Sequence, residues 1–176
     1  METTQKPDGD AFSQESGKSL FELVGKYLQD ADMNFNALTD EGYVGFIDGD
    51  NLVWQVIVGT DDESEYRLVQ VTSILPFKVA AHTRNVIAEL FVRMNCGMTI
   101  GSWDLEMDDG EMRFGINIDL MDGALTSLMF ERMFSVSVSL VDDACPLILS
   151  VMHGGMKPSE AFTVLQAKRQ DDNTLQ

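Results

Sequence analysis

The chain has 176 residues, enough for one domain of ordinary size whose core needs no disulfide or structural metal. Hydrophobic residues make up 44% of it, and 12 basic against 29 acidic side chains give a net charge of −17. Nucleic acids and anionic lipid surfaces are bound through Lys and Arg, so this charge argues against both as partners. The acidic side chains either keep the protein soluble or indicate a partner with a basic or hydrophobic binding segment.

The two cysteines, Cys96 and Cys145, lie in apolar stretches without CxxC spacing. We therefore expect two small buried side chains rather than a disulfide framework or a zinc site. Residues 1–17 lack the apolar segment of a signal peptide, and the most apolar run, near 144–152, is too short to span a bilayer. Together these features predict a cytoplasmic protein.

A single domain is predicted over residues 18–168, because no linker and no obvious internal repeat divides that stretch. The polar residues 1–17 predict a disordered N-terminal tail, and residues 169–176 predict a flexible C-terminal tail.

The first half of the domain predicts one helix followed by three or four strands. Ser19 and Glu22 form a capping box that begins the helix, whose apolar residues recur at helical spacing. In the third candidate strand, Val53 and Ile57 are apolar on the face opposite Trp54, so we expect a central strand covered on both sides. The candidate strands are 33–38, 43–47, 51–59 and 66–75.

The second half begins with a helix predicted over about 80–95, which Asn95 and Gly97 end. A hairpin follows, with its turn at Asp109-Gly110. Apolar and polar residues alternate along both arms, which predicts a half-buried antiparallel pair. Its apolar face consists of Trp103, Leu105, Met107, Met112, Phe114, Ile116, Ile118 and Leu120.

Residues 125–153 allow two interpretations. Residues 136–140 alternate apolar and serine like a strand, yet the apolar residues of the whole segment keep helical spacing, and its length favours a helix. Thr126 is the predicted N-cap. Pro146 is expected to kink this helix rather than break it.

Gly154-Gly155 is expected to end the long helix, and Pro158 to open a short last helix. Taken together, the elements predict an α+β fold: an antiparallel sheet of about five strands with helices packed mainly on one face.

Several residues of the second half carry a family resemblance. In chain order they are Asn95, Gly101, Asp109-Gly110, Pro146, Gly154 and Pro158-Ser159-Glu160-Ala161. In this order, and with the same succession of helices and strands, the chain resembles the YbjN-type proteins, which share the fold of type III secretion chaperones. The resemblance is most specific between residues 84 and 162. In the earlier half of the chain, only the order of helices and strands matches the family. The chain departs from the family at 134–141, where more charge is expected.

This resemblance implies a chaperone-like or regulatory scaffold that binds proteins, is often dimeric and has no accepted catalytic residues. Secretion chaperones are acidic and hold an extended segment of their client on the sheet and helix surface. The fold by itself does not settle the function.

Motifs for catalysis or metal binding are absent from the sequence. The acidic run from Asp104 to Gly110 does not fit an EF-hand, because its glycine comes one residue late and the position of the closing Glu falls near Gly115 or Ile116. Three carboxylates on one strand face could hold a hydrated Mg²⁺ or Ca²⁺ only weakly, and we interpret the run as a solvated edge. His82 and His153 have no second ligand at metal spacing. No GxSxG, SxxK, GxGxxG or GxxxxGK[ST] motif occurs. We therefore predict no catalytic residue, no metal site, no cofactor and no enzymatic activity.

Methionine is abundant, with 11 in the chain. Met94, Met107 and Met112 fall on predicted inward faces, whereas four others of the second half are candidates for an exposed apolar surface, which suits varied partners. A long helix that is apolar nearly all round must be covered by its own sheet and helices or by a second copy of the chain. The exposed candidates are Met121, Met129, Met133 and Met156, and the predicted partner or dimer surface is Met129, Phe130, Met133, Phe134 and Val141.

The leading hypothesis is a non-enzymatic, chaperone-like protein that forms a homodimer and binds a protein or peptide client. The alternative is a sensory or regulatory domain that responds to a bound small ligand. An enzyme would need a deep cleft lined by titratable groups with perturbed pKa values.

Overall fold

The computed structural model describes residues 18–63 and 65–174, with side chains as far as Lys168. The predicted tail at 1–17 lies outside the described residues. In chain order the elements are helix α1 (Leu20–Asp30), strands β1 (Phe35–Thr39), β2 (Gly42–Asp48), β3 (Val53–Asp61) and β4 (Leu68–Ile74), helix α2 (Arg84–Cys96), strands β5 (Ser102–Leu105) and β6 (Met112–Asp119), and helices α3 (Ser127–His153) and α4 (Pro158–Thr174).

The six strands form one antiparallel sheet in the order β1-β2-β3-β4-β6-β5. The α+β fold with an antiparallel sheet is therefore confirmed. The candidate strand at 33–38 is the sixth strand, β1, at one edge of the sheet. Its pairing with β2 shifts register between Ala37 and Thr39, an irregularity that suits an edge.

All four helices lie on the same side of the sheet, as predicted. The inward residues Trp54, Val56 and Val58 of β3 are fully buried beneath them. The prediction that β3 is covered on both sides is wrong, since Val53 is 52% exposed and Ile57 is only half-buried. Val and Ile suit a pleated strand on either face, so an apolar run does not prove that both faces are covered.

Helix α1 begins at the predicted capping box. The backbone N–H of Glu22 donates to the Ser19 hydroxyl, and the Glu22 carboxylate accepts from the Ser19 N–H. Helix α2 ends with Gly97 as its C-cap. Its Asn95 side chain then bonds both backbone groups of Trp103, at 2.8 and 2.9 Å, and so fixes β5 against the helix.

Helix α3 is continuous over 27 residues, with Pro146 inside it, Thr126 as N-cap and Gly154 as C-cap. Helical spacing was thus the better guide than the alternation at 136–140. One serine of that stretch has a structural role, because the hydroxyl of buried Ser137 is hydrogen-bonded to the hydroxyl of Ser73 on β4, at 3.0 Å. Ser73 in turn accepts from the indole N–H of Trp54 at 3.1 Å, so a buried polar network sets helix against sheet.

By length and composition alone, α3 could also cross a membrane. Its inner side packs in the core, however, where Phe130, Val141 and Ile148 are almost fully buried. A long core helix of a folded domain passes the same compositional test.

Several side chains differ from expectation. Cys145 is buried as predicted, but Cys96 is exposed. Met94 and Met112 are in the core, whereas Met107 lies in the hairpin turn and is exposed. Helix α4 is longer than expected and runs to Thr174, past the predicted start of the C-terminal tail at 169.

Candidate functional site

The predicted partner surface on α3 is mostly inside the domain. Phe130, Met133, Phe134 and Val141 are buried, and only Met129 is half-buried. The ring of Phe130 packs edge-on against Tyr27 of α1, and that of Phe134 against Phe35 of β1. The chain's own sheet and first helix therefore cover this stripe, and those four side chains offer no surface in this structure. Met121, in contrast, is exposed as expected.

An apolar surface does occur on the side of the sheet that carries no helix in the described part of the chain, and we call it the open face. Phe46 is 68% exposed there and Val53 is 52% exposed, while their neighbours are half-buried. The strand register brings them together, because Val44 lies opposite Ile57 and Gln55 lies between Phe46 and Ile74. The open face consists of Val44, Phe46, Val53, Ile57 and Ile74.

Acidic residues stand beside the open face. The charged residues at outward positions of β2, β3 and β4 are Asp48 and Asp61, and those strands carry no Lys or Arg among the outward positions. Arg113 of β6 faces the same way, but it is bonded to Glu111. The open face is thus apolar with a negative border.

The turn between β2 and β3 is held from behind by α3. The Asp142 carboxylate accepts the backbone N–H groups of Asp50 and Asn51, at 3.2 and 2.9 Å, and the Asn51 side-chain amide at 3.1 Å. Because Phe46 and Val53 lie on the two strands that this turn joins, Asp142 positions both of them.

Two acid-lined clefts lie near the outer end of β3. The larger, of about 550 Å³, includes Glu41, Asp61 and Glu63, and the smaller, of about 120 Å³, adds Asp40 and Asp62. Nevertheless, no group of three or more His, Cys, Asp or Glu in the described residues is arranged to hold a metal ion.

A different cleft, of about 360 Å³, opens between the start of α3, the end of β6 and the loop before β5. We call it the Arg132 cleft. None of the described residues that line it is acidic. Its lining consists of Thr99, Ile100, Gly101, Ile116, Asn117, Ile118, Met129, Arg132 and Met133.

Gly101 creates this cleft by turning the chain away from β6. Its φ of +76° lies in the left-handed region, and a Cβ there would come within 2.5 Å of the Phe114 ring and 2.9 Å of the Gly115 carbonyl oxygen. The pairing of β5 with β6 therefore stops at Ser102 opposite Gly115. Beyond that point no strand of the described chain pairs with β6 on its β5 side.

The guanidinium of Arg132 stands at this cleft without a bond: in the part of the chain that the structure describes, no hydrogen bond or ion pair reaches it. The other arginines with described side chains are all engaged. Arg67 bonds Asp62, Arg93 bonds Glu89, Arg113 bonds Glu111, and Arg84 bonds the backbone oxygens of Val79, Met107 and Asp108.

The buried thiol of Cys145 has a strongly shifted pKa. Burial and, less strongly, the charge of Asp142 raise the pKa of the Cys145 thiol to about 11, so it stays protonated and unreactive at neutral pH. His82 and His153 are both exposed. The predicted absence of catalytic, metal and cofactor residues stays a prediction.

Comparison with known proteins adds a family and a fold. The chain matches the YbjN family, described as "Putative bacterial sensory transduction regulator", over residues 21–150. It is similar to the crystal structure of YbjN from E. coli, described as "a putative transcription regulator", with a TM-score of 0.52 and 12% identity over 71% of this chain and 90% of that one. At this identity the likeness shows the fold alone. No curated protein matches the chain in sequence. Because the family match covers most of its length, the chain belongs to the YbjN family.

Proposed function

We propose that this protein is a non-enzymatic, cytoplasmic regulator that acts by binding a protein or peptide partner on the open face. The observation that supports this most strongly is Phe46, a large aromatic side chain that is 68% exposed on the open face of the sheet. Contiguous apolar surface with a polar border is typical of interaction sites. Aromatic residues in such positions carry much of the binding free energy in protein interfaces.

The proposed partner segment is apolar with basic residues at its edges. Its apolar side chains would cover Phe46 and Val53, which releases about 25 cal/mol per Å² of apolar surface removed from water. Its basic side chains would meet Asp48 and Asp61 and the field of a chain with a net charge of −17. A second copy of this chain is a poorer occupant, because two acidic borders would be brought together.

The chaperone-like role is part of this proposal. An antiparallel sheet with helices on one side leaves the other side free for an extended client segment, as the resemblance to secretion chaperones implies. The homodimer also remains a proposal, but it requires a surface other than the buried α3 stripe. Light scattering on the purified protein measures the oligomeric state.

The test compares Phe46→Ser with a matched control, Val92→Ser. Val92 lies on α2, away from the sheet, and is 69% exposed, so both changes remove an exposed apolar side chain of similar accessibility. The probe is a ten-residue peptide of alternating leucine and lysine, measured by calorimetry. We expect Phe46→Ser to weaken binding about tenfold and Val92→Ser to leave it unchanged.

Equal binding by both variants would contradict the open face as the site. A peptide of alternating leucine and glutamate that binds as tightly as the lysine peptide would contradict the proposed partner chemistry. Circular dichroism checks that Phe46→Ser and Val92→Ser are both folded.

A second candidate function, response to a small ligand, is favoured by the Arg132 cleft. Its volume of about 360 Å³ lies within the range of about 300–1,000 Å³ typical of small-molecule sites. A thermal-shift screen with metals and common metabolites tests it, because a ligand that binds the folded state raises the melting temperature.

A further inference from the structure

We propose that the Arg132 cleft binds a small molecule with an apolar body and a single carboxylate head. This ligand class deepens the second candidate function and is independent of the partner proposed for the open face. Arg132 is the side chain that would select the head, and the walls of the cleft would select the body.

The walls of the cleft suit an apolar body. Ile116 and Met133 are buried, so their side chains form a fixed floor, while Met129 and Ile118 are half-buried and line the sides. Methionine side chains adapt to ligands of different shape. A ligand bound there would remove apolar surface from water on both itself and the protein.

Arg132 supplies the charge that selects a carboxylate. Among the arginines with described side chains it is the one without a bonded partner, in a chain that has 29 acidic side chains available. A guanidinium presents two parallel N–H donors that match the two oxygens of a carboxylate. A solvated arginine beside an apolar cleft is therefore a ready site for an amphiphilic anion.

The lack of acidic residues among the described lining residues strengthens this assignment. The two clefts near β3 each include Glu41, Asp61 and Glu63 and would repel an anion. In the Arg132 cleft the polar residues of the lining are Thr99, Asn117 and Arg132. Among these three clefts it is thus the place where a carboxylate would meet a cation rather than another carboxylate.

The backbone of Asn117 supplies a second polar group. The Glu106 N–H donates to the Glu111 oxygen, so odd-numbered residues of β6 direct their backbone N–H and C=O groups towards β5. The Leu75 N–H donates to the Met112 oxygen, so the backbone groups of even-numbered residues point towards β4. The ladder to β5 ends at Gly115. The next odd-numbered residue is Asn117. Its backbone N–H and C=O therefore point to the same edge of β6, but into the cleft instead of towards β5, and a ligand there can form hydrogen bonds with them.

The test uses three eight-carbon probes with the full-length protein: octanoate, octan-1-ol and octylammonium. Binding is measured by calorimetry, and its location by backbone chemical-shift changes. We expect octanoate to bind with shifts at 99–101, 116–118 and 129–133, octan-1-ol to bind more weakly, and octylammonium weakest.

Two variants and one control separate the head from the body of the ligand. Arg132→Gln should weaken octanoate binding about tenfold or more and leave octan-1-ol binding unchanged, because it removes only the charge. Met129→Glu, which puts a carboxylate into the cleft, should abolish octanoate binding. Arg93→Gln, which removes a paired arginine on α2, should have no effect.

Three results would overturn the inference: octanoate that does not bind at millimolar concentration, binding that Arg132→Gln leaves unchanged, or shifts that fall outside the cleft. After any of these results, a metabolite that raises the melting temperature by binding elsewhere would still support the second candidate function. None of these outcomes affects the test of Phe46, which uses a different probe and a different surface.

Discussion

The open face and the Arg132 cleft are both accessible and both apolar, yet they differ in shape and charge. The open face is a sheet surface with acidic residues at its border, and Phe46 projects from it. The cleft is concave, and its described lining holds an unpaired arginine and no acidic side chain. A net charge of −17 therefore does not describe the surface everywhere, and the two regions suit partners of opposite charge.

The largest expected effect comes from Gly101→Ala, which should damage the cleft and spare the open face. A Cβ at a φ of +76° is strained and would meet Phe114 and the Gly115 carbonyl. We expect a loss of about 2–4 kcal/mol in the free energy of unfolding, measured by urea denaturation. Octanoate binding should be lost, while the leucine–lysine peptide still binds at temperatures where the variant is folded.

The control for that variant is Gly97→Ala. No atom lies within 4 Å of a Cβ built there among the described residues, and its φ of −104° suits any residue. Its stability should stay within about 0.5 kcal/mol of the parent. Equal stability of the two alanine variants would contradict the role proposed for Gly101.

Asp142→Ala should have the next largest effect, this time on the open face. It removes the acceptor of two backbone N–H groups and one amide at the turn between β2 and β3. We expect a loss of about 1–3 kcal/mol in the free energy of unfolding and weaker peptide binding, with octanoate binding unchanged.

Asp143→Ala is the matched change one residue along the same helix. Asp143 makes a long surface pair with Lys168, at 3.9 Å, so its removal should cost little. A loss of octanoate binding in Asp142→Ala would show that the two regions are coupled, which contradicts their proposed independence.

The third effect depends on pH and concerns Cys145, in the core helix α3. Its thiol has a pKa of about 11 in the folded protein against a usual 9.0. A raised pKa of this kind stabilises the fold below pH 9, and that contribution is lost as the pH rises from 9 towards 11, because only the unfolded chain ionises readily.

The measurement is urea denaturation at about pH 8 and about pH 10.5, on either side of the usual thiol pKa, for the parent and Cys145→Ala. The parent should lose more stability over this range than the variant, in which the group is absent.

At the lower pH a thiol reagent should modify exposed Cys96 in the native protein and reach Cys145 only after denaturation. Rapid modification of both thiols would show that the helix opens readily.

The sequence predicted the elements well where a pattern repeats over a whole segment. The capping box at Ser19, the alternating hairpin and the helical spacing of 125–153 all placed their elements correctly, because each pattern reflects one local geometry. The buried Ser137 is part of the network with Ser73 and Trp54, but Ser73 is 64 residues away in the chain, and no local rule identifies such a partner.

The exposed surfaces were predicted poorly for a physical reason. Periodicity gives the apolar side of an element but not which neighbour covers it, so Phe130 and Phe134 were predicted at a surface although α1 and β1 cover them. Phe46, in turn, follows the alternation of a strand and gives no sign that its face stays open. The Arg132 cleft depends on where Gly101 turns the chain, which only the assembled sheet reveals.

The most direct test of the central claim is a chemical-shift map of the isotopically labelled protein, titrated separately with the leucine–lysine peptide and with octanoate. We predict two separate sets of changes. The peptide should shift residues 44–46, 53–57 and 72–74, and octanoate should shift 99–101, 116–118 and 129–133. Overlapping sets, or a peptide that shifts only residues remote from Phe46, would contradict the claim that two distinct apolar regions select partners of opposite charge.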